Sequence, residues 1–326
     1  SALHPRLAHT QQERVLKELT PAITELAIHA KECGIGLTID SEEADRLELT
    51  LELFDRVYRD TGLNDYEGLG IAVPTYQRRA RDVFRYLIEL AGDVGRRIPV
   101  RLVKGAYWDA EIKRAQEQGL SSFPVFTRKA HSDVAYLACA RQALDAGDAL
   151  YLQFATHNAH TLASILHFAG GRRDFEFQRL HGMGEELYAE VIDPEKFNRP
   201  CRVYAPVGSH EDLLPYLVRR LLENGSNTSF VNRIVDESID VREIVRDPIV
   251  IARGHGFTPH PKIAAPGDLF LPERKNSAGV NLADHNVTME LLKTMQQVRE
   301  REHRARPLVG GKPMAGAEAA SVNPAD

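Results

Sequence analysis

Short apolar runs alternate along this chain with longer stretches whose apolar residues recur every three or four positions. Six of the runs read as strands, at 36–40, 70–73, 100–104, 150–155, 175–180 and 202–207. Helical periodicity fills 42–58, 76–92, 109–118 and 127–146 between them. A further helix at 212–223 carries Leu213, Leu214, Leu217, Leu221 and Leu222 on its apolar side. Helices alternating with strands in this way build βαβ units on a parallel sheet. The rhythm predicts an α/β fold, either a (β/α)8 barrel or a doubly wound sheet. A closed barrel needs eight strands and six are visible, so either the sheet is open or two strands precede Ser1.

Such folds bind ligands at the carboxyl ends of their strands, so the residues there carry the candidate chemistry. The stretch 101–108, RLVKGAYW, sets a lysine, a glycine and two aromatic rings at one strand end. Planar rings beside a bare backbone and fixed cations suit a flat, anionic cofactor. Asp40, His157, His181 and Tyr204 stand at four other strand ends or within the last strand. Each also has a plainer reading. Asp40, before Ser41-Glu42-Glu43, suits a helix N-cap as well as a catalytic carboxylate. His157 and His160 form an HxxH at a helix start, but no third ligand stands in register and no metal is expected. The LHGMG stretch at 180–184 is a glycine-rich turn or an approach for phosphate. Arg219 and Arg220 are either solvated cations near a helix end or a bidentate clamp for a carboxylate.

Composition narrows the field. The chain has 326 residues and a net charge of −5, so nothing points to nucleic acid or an acidic membrane surface. Its three cysteines, Cys33, Cys139 and Cys201, stand far apart with no CxxC, which fits a reducing compartment. No apolar run approaches the roughly 18 residues of a membrane span, and the first residues lack a signal-peptide core.

Taken together, the motifs resemble a family. RLVKGAYW at 101–108, YLQFATHNAH at 151–160, LHGMG at 180–184, YAPVG at 204–208, YLVRRLLENG at 216–225 and NTSFV at 227–231 are similar to the proline dehydrogenase domain of proline utilization A flavoproteins. The resemblance runs in order through about the first 245 residues. RKNSAG at 274–279 and NPA at 323–325 resemble the linker into, and the start of, the aldehyde dehydrogenase domain that follows in that bifunctional family. The implied division is a barrel over 1–245, a linker over 246–275 and the beginning of the second domain over 276–326, small-residue rich and disordered from 310 onward.

The resemblance implies a distorted (β/α)8 barrel that holds FAD non-covalently. It implies oxidation of L-proline to Δ1-pyrroline-5-carboxylate, with electrons passed to a membrane quinone. By carry-over, Arg101, Val103, Lys104, Gly105, Ala106 and Trp108 contact the flavin. Thr127, Arg128 and Lys129 lie near its pyrophosphate and adenosine part, and Gln153, Thr156, His157, Glu223, Ser229 and Phe230 complete the site. Arg219 and Arg220 clamp the proline carboxylate, while Asp40, Ala106, Tyr107, Leu180 and Tyr204 line the substrate pocket. The catalytic set is then Asp40, Tyr107, Tyr204, Arg219 and Arg220. The family also implies a cytoplasmic protein peripheral to the inner membrane, with homo-oligomers possible.

Two departures from the family pattern bear on these expectations. The chain starts where the family's second strand is ending, so a lysine and an acidic partner of the arginine clamp are missing from it. Poor folding or weak flavin retention is expected of such a chain. Pro74 stands where the family has a glutamine near the flavin, and proline is disfavoured in central strands. The competing readings are an incomplete barrel without flavin and, more distantly, an aldolase using Lys104 as a Schiff-base nucleophile.

Overall fold

The computed structural model describes residues 4–225, 240–301, 304–317 and 319–322. Six strands form one parallel sheet in sequence order: β1 (Leu37–Asp40), β2 (Leu69–Pro74), β3 (Ile98–Val103), β4 (Leu150–Ala155), β5 (Phe175–Leu180) and β6 (Cys201–Tyr204). Eight main helices accompany them: α1 (Gln12–Glu32), α2 (Leu47–Tyr58), α3 (Ala80–Val94), α4 (Trp108–Glu117), α5 (Lys129–Asp145), α6 (Ala159–Ala169), α7 (Glu185–Ile192) and α8 (His210–Gly225). A sheet whose every strand pairs only with its sequence neighbours is the wall of a barrel. With six strands it is an open, curled half-barrel.

Alternation along the strands divides its two faces. Ile71, Val73, Val100, Leu102, Leu152, Phe154, Phe175 and Phe177 belong to one buried apolar cluster, with helix residues such as Phe84, Leu87, Tyr136 and Ala140. The alternate positions, Asp40, Arg101, Gln153, Glu176, Gln178 and Arg202, join one another in hydrogen bonds on the concave face. A period of two thus sends apolar residues to the helices and polar ones to the barrel interior.

Several elements differ from the sequence reading for identifiable reasons. α1 is a 21-residue helix that the periodicity left unassigned, with Pro21 inside it. Its stripe of Val15, Leu16, Leu19, Ile23 and Ala27 is buried, which offsets the backbone bond that proline removes. α3 begins at Ala80 rather than at 76, because Tyr76 instead accepts from the Phe126 N–H and donates to Lys104 O. β6 stops at Tyr204, before Pro206 and the fully exposed Val207. Pro74 closes β2 without costing a ladder bond. Thr75 donates to Val103 O, so the nitrogen of Pro74 faces the β1 side, and β1 has already ended at Asp40 opposite Ala72.

One buried cation fastens the end of the barrel away from these strand ends. Arg96 donates to the carbonyls of Tyr58 and Leu63, and its guanidinium lies 4.0 Å from the Tyr58 ring centroid. The Tyr58 hydroxyl donates in return to Arg96 O. Arg96→Ala strands buried carbonyls and removes a cation–π contact, so it should lower unfolding free energy by about 3 kcal/mol. Urea denaturation checks this; a loss below about 1 kcal/mol would contradict it.

Residues through Asp284 belong to the same compact unit as the half-barrel, and His285–Asp326 form a second. The segment after α8 packs back on the barrel helices. The helix Pro248–Gly254 lies against α5, Gln116 donates to Ala264 O, and Asn276 donates to Gln116 O. The second unit contains the helix His285–Arg299 and a small hairpin, Leu308–Val309 with Lys312–Pro313. No described helix is long and apolar enough to cross a membrane.

Candidate active site

The concave face gathers the polar strand ends around Arg101. Its Nη1 donates to Asp40 Oδ1 at 2.7 Å and its Nε to Gln178 Oε1 at 2.9 Å. The guanidinium also lies 5.4 Å from the Tyr204 ring centroid. Asp40 is thus paired with Arg101 and caps no helix: the short turn that precedes α2 has Glu43 at its N-cap, without a side-chain bond. Burial pushes the Tyr204 hydroxyl upward, an effect that Arg101 opposes.

α8 brings the arginine pair to the same mouth. The Arg219 guanidinium lies 4.3 Å from the Tyr107 ring centroid. Burial, together with a hydrogen bond to the Glu42 carboxylate, pushes the Tyr107 phenol up to about 12. Arg220 packs 5.2 Å from the Tyr216 ring and acts electrostatically on His157 and Tyr204. Arg219 thus lies over the Tyr107 ring, and Arg220 stands near enough to His157 and Tyr204 to influence both. Leu180, buried on β5, sits opposite Tyr204 in the sheet register.

After β3 the chain makes a tight passage. Gly105 has φ of +129°, and a Cβ there would lie 2.5 Å from the Tyr76 ring, so only glycine fits. Ala106 is exposed beyond it, and Val103 ends the strand with its carbonyl accepting from Thr75. Trp108 donates its indole N–H to Phe126 O at 2.7 Å, and its ring packs against the small apolar cluster of Tyr76, Ile112 and Val125.

Lys104 pairs with Asp133, which also takes Lys129 at 2.8 Å. Burial drives the Lys104 ammonium down, and the carboxylate opposes this. Burial alone would raise the Asp133 carboxyl, yet the two lysines hold it below its usual range. Asp133 borders a cavity of about 380 Å³ lined also by Arg128, Lys129, Asn158, His160, Arg246 and His260. The starts of α5 and α6 both meet this cavity, and helix N-termini with cations favour anions. Within it the expected roles divide: Arg128 donates to Thr258 O and Thr127 accepts from the His260 N–H, whereas Lys129 remains half exposed.

His157 and His160 do not share a helical face. Asn158 between them is the N-cap of α6, accepting from the Thr161 N–H at 3.0 Å. His157 Nε2 accepts from the Leu180 N–H, which assigns its proton to Nδ1. Burial, reinforced by Arg220 and Arg179, lowers its pKa to about 4. The unfolded imidazole titrates near ~6.5 and binds a proton that the native one refuses. Native stability should therefore fall as pH drops from about 6.5 to about 4, and His157→Gln should flatten that slope. Unfolding of both proteins at pH 7 and pH 5 checks this; equal losses would contradict it.

Thr156 is buried, with its hydroxyl accepting from the Asn158 N–H. Gln153 donates to Glu176, but its Oε1 is buried without a hydrogen-bond partner among the described residues. Ser229 and Phe230 lie outside the described residues, as does the side chain of Glu223. Strand-end reasoning passed over Glu176, Gln178 and Asp133. The alternation Phe175-Glu176-Phe177-Gln178 was the available signal for the first two, since a buried strand with polar alternate positions must feed a polar interior.

This geometry has close relatives. The proline dehydrogenase family model matches residues 2–233. The bifunctional protein PutA of Salmonella typhimurium is 48% identical over 339 aligned residues, covering 100% of this chain and 26% of that protein. Human mitochondrial proline dehydrogenase 1 is 27% identical over 244 residues, covering 69% of this chain and 38% of that protein. A crystal structure of Bradyrhizobium japonicum proline utilization A superposes with a TM-score of 0.88 at 48% identity, over 91% of this chain and 30% of that one. Proline utilization A from Bdellovibrio bacteriovorus, inactivated by N-propargylglycine, superposes with a TM-score of 0.84 at 28% identity, over 97% of this chain and 32% of that one. The chain thus spans about a quarter of the length of the PutA proteins it matches. The half-barrel is part of a TIM-like barrel architecture. On the match to more than half its length, and on the identity to PutA, the chain belongs to the proline dehydrogenase family.

Proposed function

We propose that this chain carries the site for FAD-dependent oxidation of L-proline to Δ1-pyrroline-5-carboxylate, with electrons passing on to a membrane quinone. The observation that carries the reading is the convergence of Arg219 and Arg220 from α8 on Tyr107, Tyr204 and His157. Proline is an anion at one end and an apolar ring at the other. Two guanidiniums hold the first by bidentate bonds, while Tyr107, Tyr204 and Leu180 give the methylenes a shaped wall.

The residues present fit FAD. The buried Gln153 Oε1, without a partner among the described residues, is an acceptor that an N–H donor would satisfy, and the flavin ring has one. The cationic cavity at the starts of α5 and α6 suits a pyrophosphate, and bare Gly105 lets a flat ring approach the backbone. Arg101, Lys104, Trp108, Gln153, Thr156 and His157 would hold the flavin, with Lys129 at the phosphates. Bound there, FAD would supply the electron sink, at N5, for the hydride leaving the proline carbon beside nitrogen. The chain itself positions that carbon and excludes water; the reaction calls for no protein nucleophile. Lys104 is paired with Asp133, which argues against its use as a Schiff-base amine.

An ammonium withdraws the electron density that hydride departure needs, so proline must react as the free amine. The rate should rise with pH until bound proline is deprotonated, and a flat alkaline profile under conditions where chemistry limits the rate would contradict this. Assay of the chain with FAD, L-proline and a soluble quinone tests the activity. A product lighter than proline by one H2 is expected, and absence of any such product from flavin-loaded protein would overturn the proposal. The reading extends to residues 276–326 as the start of an aldehyde dehydrogenase domain. It extends also to a cytoplasmic protein meeting the inner membrane peripherally, and to homo-oligomers.

A further inference from the structure

We propose that Glu176, in the barrel interior, is a positioning residue that orients Arg101 through the amide of Gln178. Gln178 is 1% exposed and stands between two groups of opposite character. Its Nε2 donates to Glu176 Oε1 at 2.7 Å, and its Oε1 accepts from Arg101 Nε at 2.9 Å. A carboxylate only accepts and a guanidinium only donates, so the amide has one satisfactory orientation out of two. Turned over, it would set N–H against N–H and oxygen against oxygen in a buried site.

Glu176 is itself fixed. Arg202 grips both its oxygens at 2.8 and 2.9 Å, Gln153 donates to Oε1 and Tyr151 to Oε2. Arg101 is then held on two sides, by Gln178 at Nε and by Asp40 at Nη1. The relay runs Arg202, Glu176, Gln178, Arg101, Asp40 across β6, β5, β3 and β1. Its effect is to hand a rigid cation, at a defined angle, to the mouth of the barrel. That this cation serves flavin binding rests on the function proposed above, whereas the relay itself does not.

The test reads both levels. In the chain without added FAD, the Arg101 Nε–H resonance, assigned by its loss in Arg101→Lys, reports whether that proton is hydrogen-bonded. Gln178→Leu removes the acceptor and should speed its exchange with water at least tenfold; Gln178→Asn, too short to reach, serves if the leucine variant does not fold. Glu176→Gln should speed it less, and the swap Glu176→Gln with Gln178→Glu should restore protection, because the carboxylate then accepts from Arg101 directly. FAD affinity should follow the same order, with about a tenfold loss for Gln178→Leu and recovery in the swap. Unchanged Nε–H exchange in the Gln178 variants would overturn the relay. So would a swap that folds without restoring protection, since a merely structural role predicts that result. Wild-type protein that binds no FAD yet shows the expected exchange pattern would sink the functional reading alone.

Discussion

Replacing Arg219 with methionine is expected to weaken L-proline binding by two orders of magnitude or more while FAD affinity changes little. A charge-assisted hydrogen bond contributes about 1.5–3 kcal/mol, and a guanidinium can make two to one carboxylate. Arg219 already lies over the Tyr107 ring at 4.3 Å, so its fork is held in place before substrate arrives. Arg219→Lys keeps the charge but loses the planar fork and the stacking, and should weaken binding by about tenfold. Titration of flavin-loaded protein with a non-oxidisable proline analogue reads these affinities. An unchanged dissociation constant in the lysine variant would remove Arg219 from the clamp.

Asp133→Ala should be the most damaging single change to the cofactor side of the site. Asp133 is the shared partner of Lys104 and Lys129, and its side chain is 15% exposed. Removing one member of a buried pair strands the other charge, at about 3–5 kcal/mol. The lower end applies here, because water still reaches 28% of the Lys104 side chain. Asp133→Leu combined with Lys104→Met should recover much of the stability, since an apolar pair of similar size avoids the desolvation cost. FAD binding should not recover in the double variant, because Lys104 is gone. A double variant as unstable as Asp133→Ala would show that the loss is one of packing rather than charge.

Much of this arrangement is legible in the sequence. β4 and β5 run from Leu150 to Ala155 and from Phe175 to Leu180, the bounds their apolar runs imply. The strand ends also led directly to Asp40, Lys104, Tyr107 and Tyr204. What stayed hidden was long-range hydrogen bonding. Nothing local shows that the carbonyl of Tyr76 will be taken by Phe126, and that bond delays α3 by four residues. Nothing local shows that Thr127 and Arg128 will bind the strap at 258–260. Glu176 and Gln178 were missed for a different reason. They lie inside a strand rather than at its end, and only the six-stranded register brings them to Arg101. Pro21 illustrates a third kind of miss, in which a residue that breaks isolated helices is tolerated because the helix face is buried.

The measurement that bears most directly on the central claim is the visible spectrum of the purified chain after reconstitution with FAD and gel filtration, before and after anaerobic L-proline. Flavin bands should co-elute with the protein, bleach on addition of L-proline and return with a quinone. Protein that elutes without flavin, or bound flavin that L-proline leaves oxidised, would contradict the claim that these strand ends and α8 together make a proline-oxidising site.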